Sequence, residues 1–404
     1  MRRLIKDLSV TTVSNIGSTV VGAVTTVIAI RALSVEGWAA VAIVISIAPL
    51  LSLTLSLGTV TYRIRELARL AVPERGAAFA EFALRRLSVA VLLAILSVAL
   101  VDLYAGLVTL CLGLAAARFY RGGSIALLSA DRRFTAVAVI TVGEKLLTLL
   151  LVAIQLDDMR LSTLPLAQLF AALVTGFLAH LVSGVALSTW SSNLTAALTP
   201  WRLWSGSGHF GMASLATAAQ QADVTIVTAV AGSYQGGLFA AAARIPGTLN
   251  VLGGALAMVA LPVIGNRGHL PPLTGRVRRT AAVGAGAVAL ALALVVATAG
   301  FWVPLLLGED YAEATTTMQV YLVAMAFAIV NQPVVAVLQA VGHDAYAGRV
   351  VLAQVAASLS AQALGALTFG AVGAATGFLV ASLGACIMLV RRLRVATPHP
   401  EETR

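Results

Sequence analysis

Six ionisable residues lie inside long apolar stretches of this 404-residue chain: Arg118, Arg121, Glu144, Lys145, Asp223 and Arg244. A charge in hydrocarbon costs about 2.5–3.5 kcal/mol on insertion scales, so such residues face a partner or a cavity. Four cations stand against two carboxylates. Guanidinium and ammonium groups in surplus suit an anionic ligand such as a diphosphate, which they hold through charge-assisted, often bidentate, hydrogen bonds.

The elements that must position these groups are membrane-spanning helices. Apolar stretches long enough to cross a bilayer are read at 8–30, 38–61, 86–103, 105–130, 134–156 and 163–187, then at 208–231, 237–263, 281–301, 314–341, 350–368 and 371–390. Depth follows from the rise of about 1.5 Å per residue. Spans four and five form an antiparallel hairpin around Asp131–Phe134, and Arg121 and Glu144 are nearly equidistant from its tip. Spans seven and eight turn around Ser233 and Tyr234, which brings Asp223 and Arg244 to similar depth. Two cross-hairpin ion pairs are the plain expectation. They use both carboxylates, and Arg118 and Lys145 remain as surplus positive charge near mid-membrane. His180 is a lone histidine in span six and reads as a packing residue rather than a proton relay.

Composition fixes the broad class. Hydrophobic residues make up 59% of the chain and charged residues 11%, against about a quarter charged in a soluble domain. Lys and Arg sort to one side: Arg2, Arg3 and Lys6, the connection bearing Arg63, Arg65, Arg69, Arg75, Arg85 and Arg86, and later Arg132, Arg133, Arg202, Arg267, Arg276, Arg278, Arg279, Arg349 and the tail from Arg391. The other side holds Arg31 and Arg160 beside Glu36, Asp157, Asp158, Glu309, Asp310 and Glu313. By the positive-inside rule both termini are cytoplasmic. The net charge of +10 then reflects topology and attraction to anionic lipid headgroups, not nucleic acid. Cys111 and Cys386 both lie in apolar spans and suggest neither a disulfide nor a metal site. No phosphate-binding G-x-x-x-x-G-K loop, metal-ligand spacing or nucleophile-elbow motif occurs, and no cofactor is expected.

The polar connection 191–207 divides an N-terminal six-helix bundle, 1–190, from a C-terminal one, 208–390, with a cytoplasmic tail at 391–404. Six spans per half is even, so both halves enter from the cytoplasm, as repeats related by an axis along the membrane normal do. Span one carries Thr11, Asn15, Ser18, Gly22 and Thr25 on one face, and span seven carries Ser214, Thr217, Gln221, Thr225 and Thr228. Such stripes serve close helix packing or line a water-accessible cavity. Asn15, Ser18 and Gln221 are therefore cavity-lining candidates. Asn331 and Gln332 join them, because they precede Pro333 in span ten, where a broken helix frees backbone carbonyls.

Four stretches carry a resemblance. Arg31–Trp38 follows span one as R-A-L-S-V-E-G-W, and Asp223 leads span seven into Gly237–Ile245. Leu307–Ala314 reads L-G-E-D-Y-A-E-A, and Phe369–Gly377 reads F-G-A-V-G-A-A-T-G. The chain resembles the multidrug/oligosaccharidyl-lipid/polysaccharide exporter superfamily, in its polysaccharide flippase branch (Wzx-like O-antigen and exopolysaccharide flippases). Phe239 stands where that branch often has Tyr, and 404 residues is short for it.

The resemblance implies an all-α polytopic, MATE-like fold: about twelve transmembrane helices in two six-helix bundles related by a pseudo-twofold along the membrane normal, with rocker-switch alternating access. It implies a transporter, not an enzyme, in the bacterial cytoplasmic (inner) membrane. The cargo would be an undecaprenyl-diphosphate-linked oligosaccharide, moved from the cytoplasmic to the outer leaflet under a proton or sodium gradient. Other polysaccharide-assembly membrane proteins are the expected partners. Asp223 and Arg244 match charged positions of spans seven and eight; the roles of Arg118, Arg121, Glu144 and Lys145 rest on depth alone. On this reading Arg118, Arg121, Lys145 and Arg244 form the anion path, and Glu144 and Asp223 are the ion-coupling candidates. A cation-coupled multidrug or metabolite antiporter of the same superfamily is the alternative, with a carboxylate-rich cavity as its expected mark. A membrane polysaccharide polymerase or glycosyltransferase is a further one, disfavoured by the short outward loops.

Overall fold

Several helix breaks in this chain fall where glycine or a left-handed residue interrupts an apolar run. The computed structural model describes residues 2–70, 72–99, 106–184, 194–205, 207, 211, 215–216, 218–250, 253, 290, 292–340 and 343–396. The expected positions Ser214 and Thr217, most of the span expected at 281–301, the end of the one at 237–263, the arginines from Arg267 to Arg279 and the tail beyond Ala396 lie outside the described residues.

Eleven α-helices are described: α1 Arg2–Ala32, α2 Val35–Ser56, α3 Thr59–Arg69, α4 Val72–Ala99, α5 Leu107–Ala130, α6 Phe134–Ile154, α7 Thr163–Ser183, α8 Asp223–Gly247, α9 Ala299–Leu307, α10 Ala314–Ala340 and α11 Asp344–Ala396. No strand occurs among the described residues. Seven of the described helical stretches are long and apolar enough to cross a membrane. Two of them are hairpins. A straight α11 of 53 residues would run for about 80 Å at 1.5 Å per residue, far beyond a hydrocarbon core of about 30 Å. It folds back instead at Phe369 and Gly370, where Gly370 adopts φ 59°. Likewise α8 breaks at Gly232 (φ 86°, ψ 168°), beside the expected turn at Ser233 and Tyr234. A Cβ at φ 86° meets the backbone, so glycine fits this turn.

The helices form two compact units, one of Met1–Leu33 with Ala40–Thr225, the other of Ser34–Ala39 with Ile226–Arg404. In the first, α5 packs along α4 and α7, and α6 along α1 and α7. In the second, α10 packs along both arms of α11.

The sequence reading needs correction at the connection after α2. The expected span 38–61 ends at Ser56, because Leu57 (φ 40°) and Gly58 (φ 72°) are both left-handed. The next residues form a helix and not a loop. In α3, Val60, Ile64 and Leu67 turn towards a core built on Phe79, Phe82, Phe119 and Leu203, while Thr61 and Arg65 are exposed. This is the i, i+4, i+7 spacing of an amphipathic helix. The connecting segment at 194–204 packs against α4 as two short 3₁₀ turns. There Leu203 is fully buried and Trp204 Nε1 donates to Leu55 O at 2.6 Å.

Arg86 is the larger correction. Charge sorting assigns it to an exposed connection, yet α4 begins at Val72 and Arg86 is 1% exposed. Its Nε donates to Phe119 O (2.9 Å), as does Nη2, while Nη1 donates to Thr59 Oγ1 (3.1 Å) and Nη2 to Ser56 Oγ (3.3 Å). The guanidinium lies 3.7 Å from the Phe119 ring centroid, a cation–π contact. Gly123 leaves the room for it: a Cβ there would sit 2.7 Å from Arg86 Cδ. One side chain thus joins the α2–α3 turn, α4 and α5. Replacing Arg86 by Met strands buried acceptors, each worth about 1–3 kcal/mol. The apparent melting temperature of the purified protein in detergent should fall, and Arg86→Lys should restore only part, since an ammonium cannot reproduce the planar fork. An unchanged melting temperature in Arg86→Met would contradict this role.

Candidate functional site

The α5–α6 hairpin turns at Asp131–Arg133, which is tied down on two sides. Arg75 at the start of α4 pairs with Asp131 (3.1 Å), and Arg133 Nη1 donates to Val182 O of α7 (2.8 Å). From this fixed tip the two helices diverge with equal rise, so residues equally far from it meet at equal depth. Arg121 Nη2 and Glu144 Oε2 lie 2.5 Å apart, with Glu144 buried and Arg121 only 17% exposed. The ion pair expected from residue counting is present.

Two further cations belong to the same neighbourhood. Arg118, one helical turn from Arg121 on α5, reaches across to α7, where its Nη2 donates to Gln168 Oε1 at 2.8 Å. Lys145 follows Glu144 on α6, and its ammonium interacts electrostatically with Glu144, Arg118 and Arg121. Its stem lies over α1, with Cδ about one carbon–carbon contact from the position a side chain on Gly22 would take. Glu144 is the one carboxylate in α5, α6 and α7. Within α5, α6 and α7, three cations thus stand near one carboxylate. Arg121 Nε is buried and makes no hydrogen bond to the described residues.

The remaining candidates are placed as follows. Ser18 and Thr25 are buried on α1, and their hydroxyls donate to their own helix, Ser18 to Asn15 O (3.0 Å) and Thr25 to Val21 O (2.8 Å). Those bonds are helix-packing bonds, while Gly22 between them is where Lys145 lies. Asp223 Oδ1 accepts the Val224 N–H (2.7 Å) at the end of the first unit, and Arg244 lies on α8 in the second. Gln221 is half-buried in a short 3₁₀ turn. Asn331 is buried in the second unit and donates to Ser382 O (3.1 Å), while Gln332 donates to Asn250 Oδ1 (3.2 Å). His180 is buried and stacks on Phe79, centroids 6.3 Å apart, in keeping with a packing role.

At the Gly232 break of the second unit, Tyr234 Oη donates to Glu313 Oε2 (3.0 Å). That hydrogen bond, followed by slight desolvation and the charges of Glu313, Glu36 and Asp310, holds the phenol above its ordinary value.

Sequence reasoning missed Gln168. The signal was there, since it is the one amide in span six, but a neutral side chain draws no attention in a search for charges.

No family model matches the sequence, and no curated protein matches it. Solved structures do. An inward-facing multidrug resistance MATE family transporter of the MOP superfamily superposes with a TM-score of 0.66, covering 94% of this chain and 95% of that one at 14% identity. The fold is that of the MATE transporters. A mutant of the Vibrio cholerae MATE transporter VcmN gives a TM-score of 0.58 over 98% of both chains at 16% identity. The lipid II flippase MurJ, in an inward closed conformation, gives 0.58 over 95% of this chain and 87% of that one at 12% identity. The chain is thus an all-α, multi-pass membrane protein of MATE-like fold.

Removing one partner of a buried ion pair costs about 3–5 kcal/mol, more than the pair itself contributes, because the other charge is left uncompensated. Glu144→Gln should therefore lower the melting temperature in detergent sharply. The double variant Arg121→Gln/Glu144→Gln should recover most of the loss, with a coupling readable in a double-mutant cycle. Additive losses would mean that the two side chains do not depend on each other.

Proposed function

We propose that this protein is a transporter of the MOP superfamily that moves an undecaprenyl-diphosphate-linked oligosaccharide from the cytoplasmic to the outer leaflet during cell-surface polysaccharide assembly. The observation that carries the reading is the gathering of three cations, Arg118, Arg121 and Lys145, with Glu144 on α5 and α6. Ionisable residues gathered inside membrane-spanning helices commonly mark a substrate or ion pathway. A diphosphate suits these cations, since guanidinium groups match its oxygens in geometry. The fold is compatible with this reading, since it is shared by the lipid II flippase MurJ as well as by multidrug transporters.

In this mechanism both termini are cytoplasmic, and the halves 1–190 and 208–390 move as rigid bodies. Arg118 and Lys145, with Arg121 and Arg244, attract the diphosphate and any anionic sugar. Glu144 or Asp223 takes up a proton or a sodium ion and releases its paired arginine as the cavity changes sides. Asn15, Ser18, Gln221, Asn331 and Gln332 are the polar positions along which the sugar would pass. The drug-antiporter reading shares the fold and differs in its cargo, and a cation would be repelled by the groups that attract a diphosphate.

The test is reconstitution in liposomes that contain fluorescent undecaprenyl-diphosphate oligosaccharide, read by an external quencher. Protein-dependent exposure of the lipid is expected, and the double variant Arg118→Gln/Lys145→Gln should abolish it. Transport that survives this double neutralisation would sink the anion-path assignment. Efflux of small cations under a proton or sodium gradient, with no lipid exposure, would instead establish the antiporter.

A further inference from the structure

We propose that Arg349, Arg391 and Arg392, at the end of the second unit where the two arms of α11 begin and finish, form a site for the phosphate of an anionic phospholipid headgroup. The site lies in the second unit and does not rest on the anion-path reading of the first.

The hairpin sets the level of these arginines. α11 turns at Phe369 and Gly370, and its arms run back antiparallel, Gly365 against Gly373 and Gly377 against Ala361. Arg349 precedes the turn by about 20 residues, and Arg391 and Arg392 follow it by about as many, which is about 30 Å at 1.5 Å per residue. That is the thickness of a hydrocarbon core. With the turn at one membrane surface, all three guanidiniums reach the headgroup level of the other. Exposed apolar side chains lead up to them. Leu352 lies one turn from Arg349 on the first arm, and Leu383 and Ile387 precede Arg391 at successive turns on the second. Each of these lipid-facing stripes ends in a charge.

Side chains hold the site in shape. Tyr346 packs on the core built on Leu338, Val350 and Leu389, and its Oη donates to Met388 O (3.1 Å), which ties the two arms together. Its ring carries the Arg392 guanidinium, 5.5 Å from the centroid, as a cation–π contact. Arg392 Nε is buried and makes no hydrogen bond to the described residues. Arg349 is one turn from Tyr346, and Arg391 and Arg392 are one turn from Met388, so the bond between the arms brings the three to one place. Arg349 is exposed, and its Nε donates to Ala345 O (3.1 Å) of its own helix.

Two plainer roles account for only part of this. A helix C-terminus favours cations within its last turns, which suits Arg391 and Arg392. Arg349, however, lies in the second turn of the first arm, where the dipole offers a cation nothing. Charge sorting across the membrane accounts for the sign of the charge, but not for an aromatic ring tied to a carbonyl beneath one guanidinium. Among the residues of α10 and α11 the one carboxylate is Asp344, at the start of α11. Phosphate oxygens match the guanidinium fork, and basic clusters at the ends of spanning helices are where anionic headgroups bind.

The experiment measures binding of fluorescent phosphatidylglycerol to the purified full-length protein in detergent. Phosphatidylcholine with the same chains is the neutral control, and inorganic phosphate is the competitor. Phosphatidylglycerol should bind at least about tenfold more tightly than phosphatidylcholine, and Arg349→Gln and Arg392→Gln should each weaken it about fivefold. Arg349 is exposed, so its variant tests the site without disturbing packing. Tyr346→Leu keeps every charge and removes the ring, and should weaken binding about threefold. Arg65→Gln, on the exposed face of α3, should bind as wild type does. Equal losses in Arg65→Gln and Arg349→Gln would mean diffuse attraction to a basic surface and would overturn the proposal. Unchanged binding in the triple variant Arg349→Gln/Arg391→Gln/Arg392→Gln would place the lipid elsewhere. Displacement of the lipid by millimolar inorganic phosphate, with no preference over phosphatidylcholine, would mean that the site takes a free anion and not a headgroup.

Discussion

A guanidinium that leaves water must find oxygen for its donors inside the protein, and Arg86 meets that demand at the junction of α2, α3, α4 and α5. Its acceptors are all neutral: one backbone carbonyl and two hydroxyls. No single one offsets the desolvation of a full charge, so the arrangement holds only while all are in place together with the two phenyl rings. The carbonyl it binds is that of Phe119, the residue after Arg118 and two before Arg121. The rotation of α5 about its axis is thereby fixed from one side, and the arginines are turned towards α6 and α7 on the other. The cluster inherits its geometry from a side chain that never meets it.

The cluster lies within one unit, and on the proposed reading its members divide between structure and ligand chemistry. Arg121 and Glu144 pair with each other, which offsets part of the cost of placing charge in an apolar hairpin. Arg118 and Lys145 are held by an amide and by the surface of α1. In the proposed function they are the groups that meet the diphosphate.

How much of this could be read beforehand depends on whether a feature is set by counting. The Arg121–Glu144 pair was legible because a tight hairpin converts distance along the chain into depth, and the ends of the apolar spans fell beside the turns now seen at Gly232 and at Phe369–Gly370. Arg86 was not legible. An arginine at the edge of an apolar run looks like a topology signal, and its true partners, a main-chain oxygen and two hydroxyls, leave no pattern in sequence. The α3 helix was hidden for a related reason: its apolar face is only three residues, masked by the arginines around it. Gln168 was visible as a lone amide, but its meaning depends on which helix α7 faces, and sequence does not contain that.

The hairpin that makes the pair also bears on how the chain enters its membrane. On the translocon scale each arginine at mid-helix opposes insertion by about 2.5–3.5 kcal/mol, so α5 with two of them is a poor substrate by itself. Its relief is Glu144, and Glu144 is not available until most of α6 has been synthesised. The turn at Asp131–Arg133 is short enough for the two helices to meet as soon as α6 emerges. On that scale the helical pair, in which Arg121 meets Glu144, is a better substrate for insertion than α5 alone.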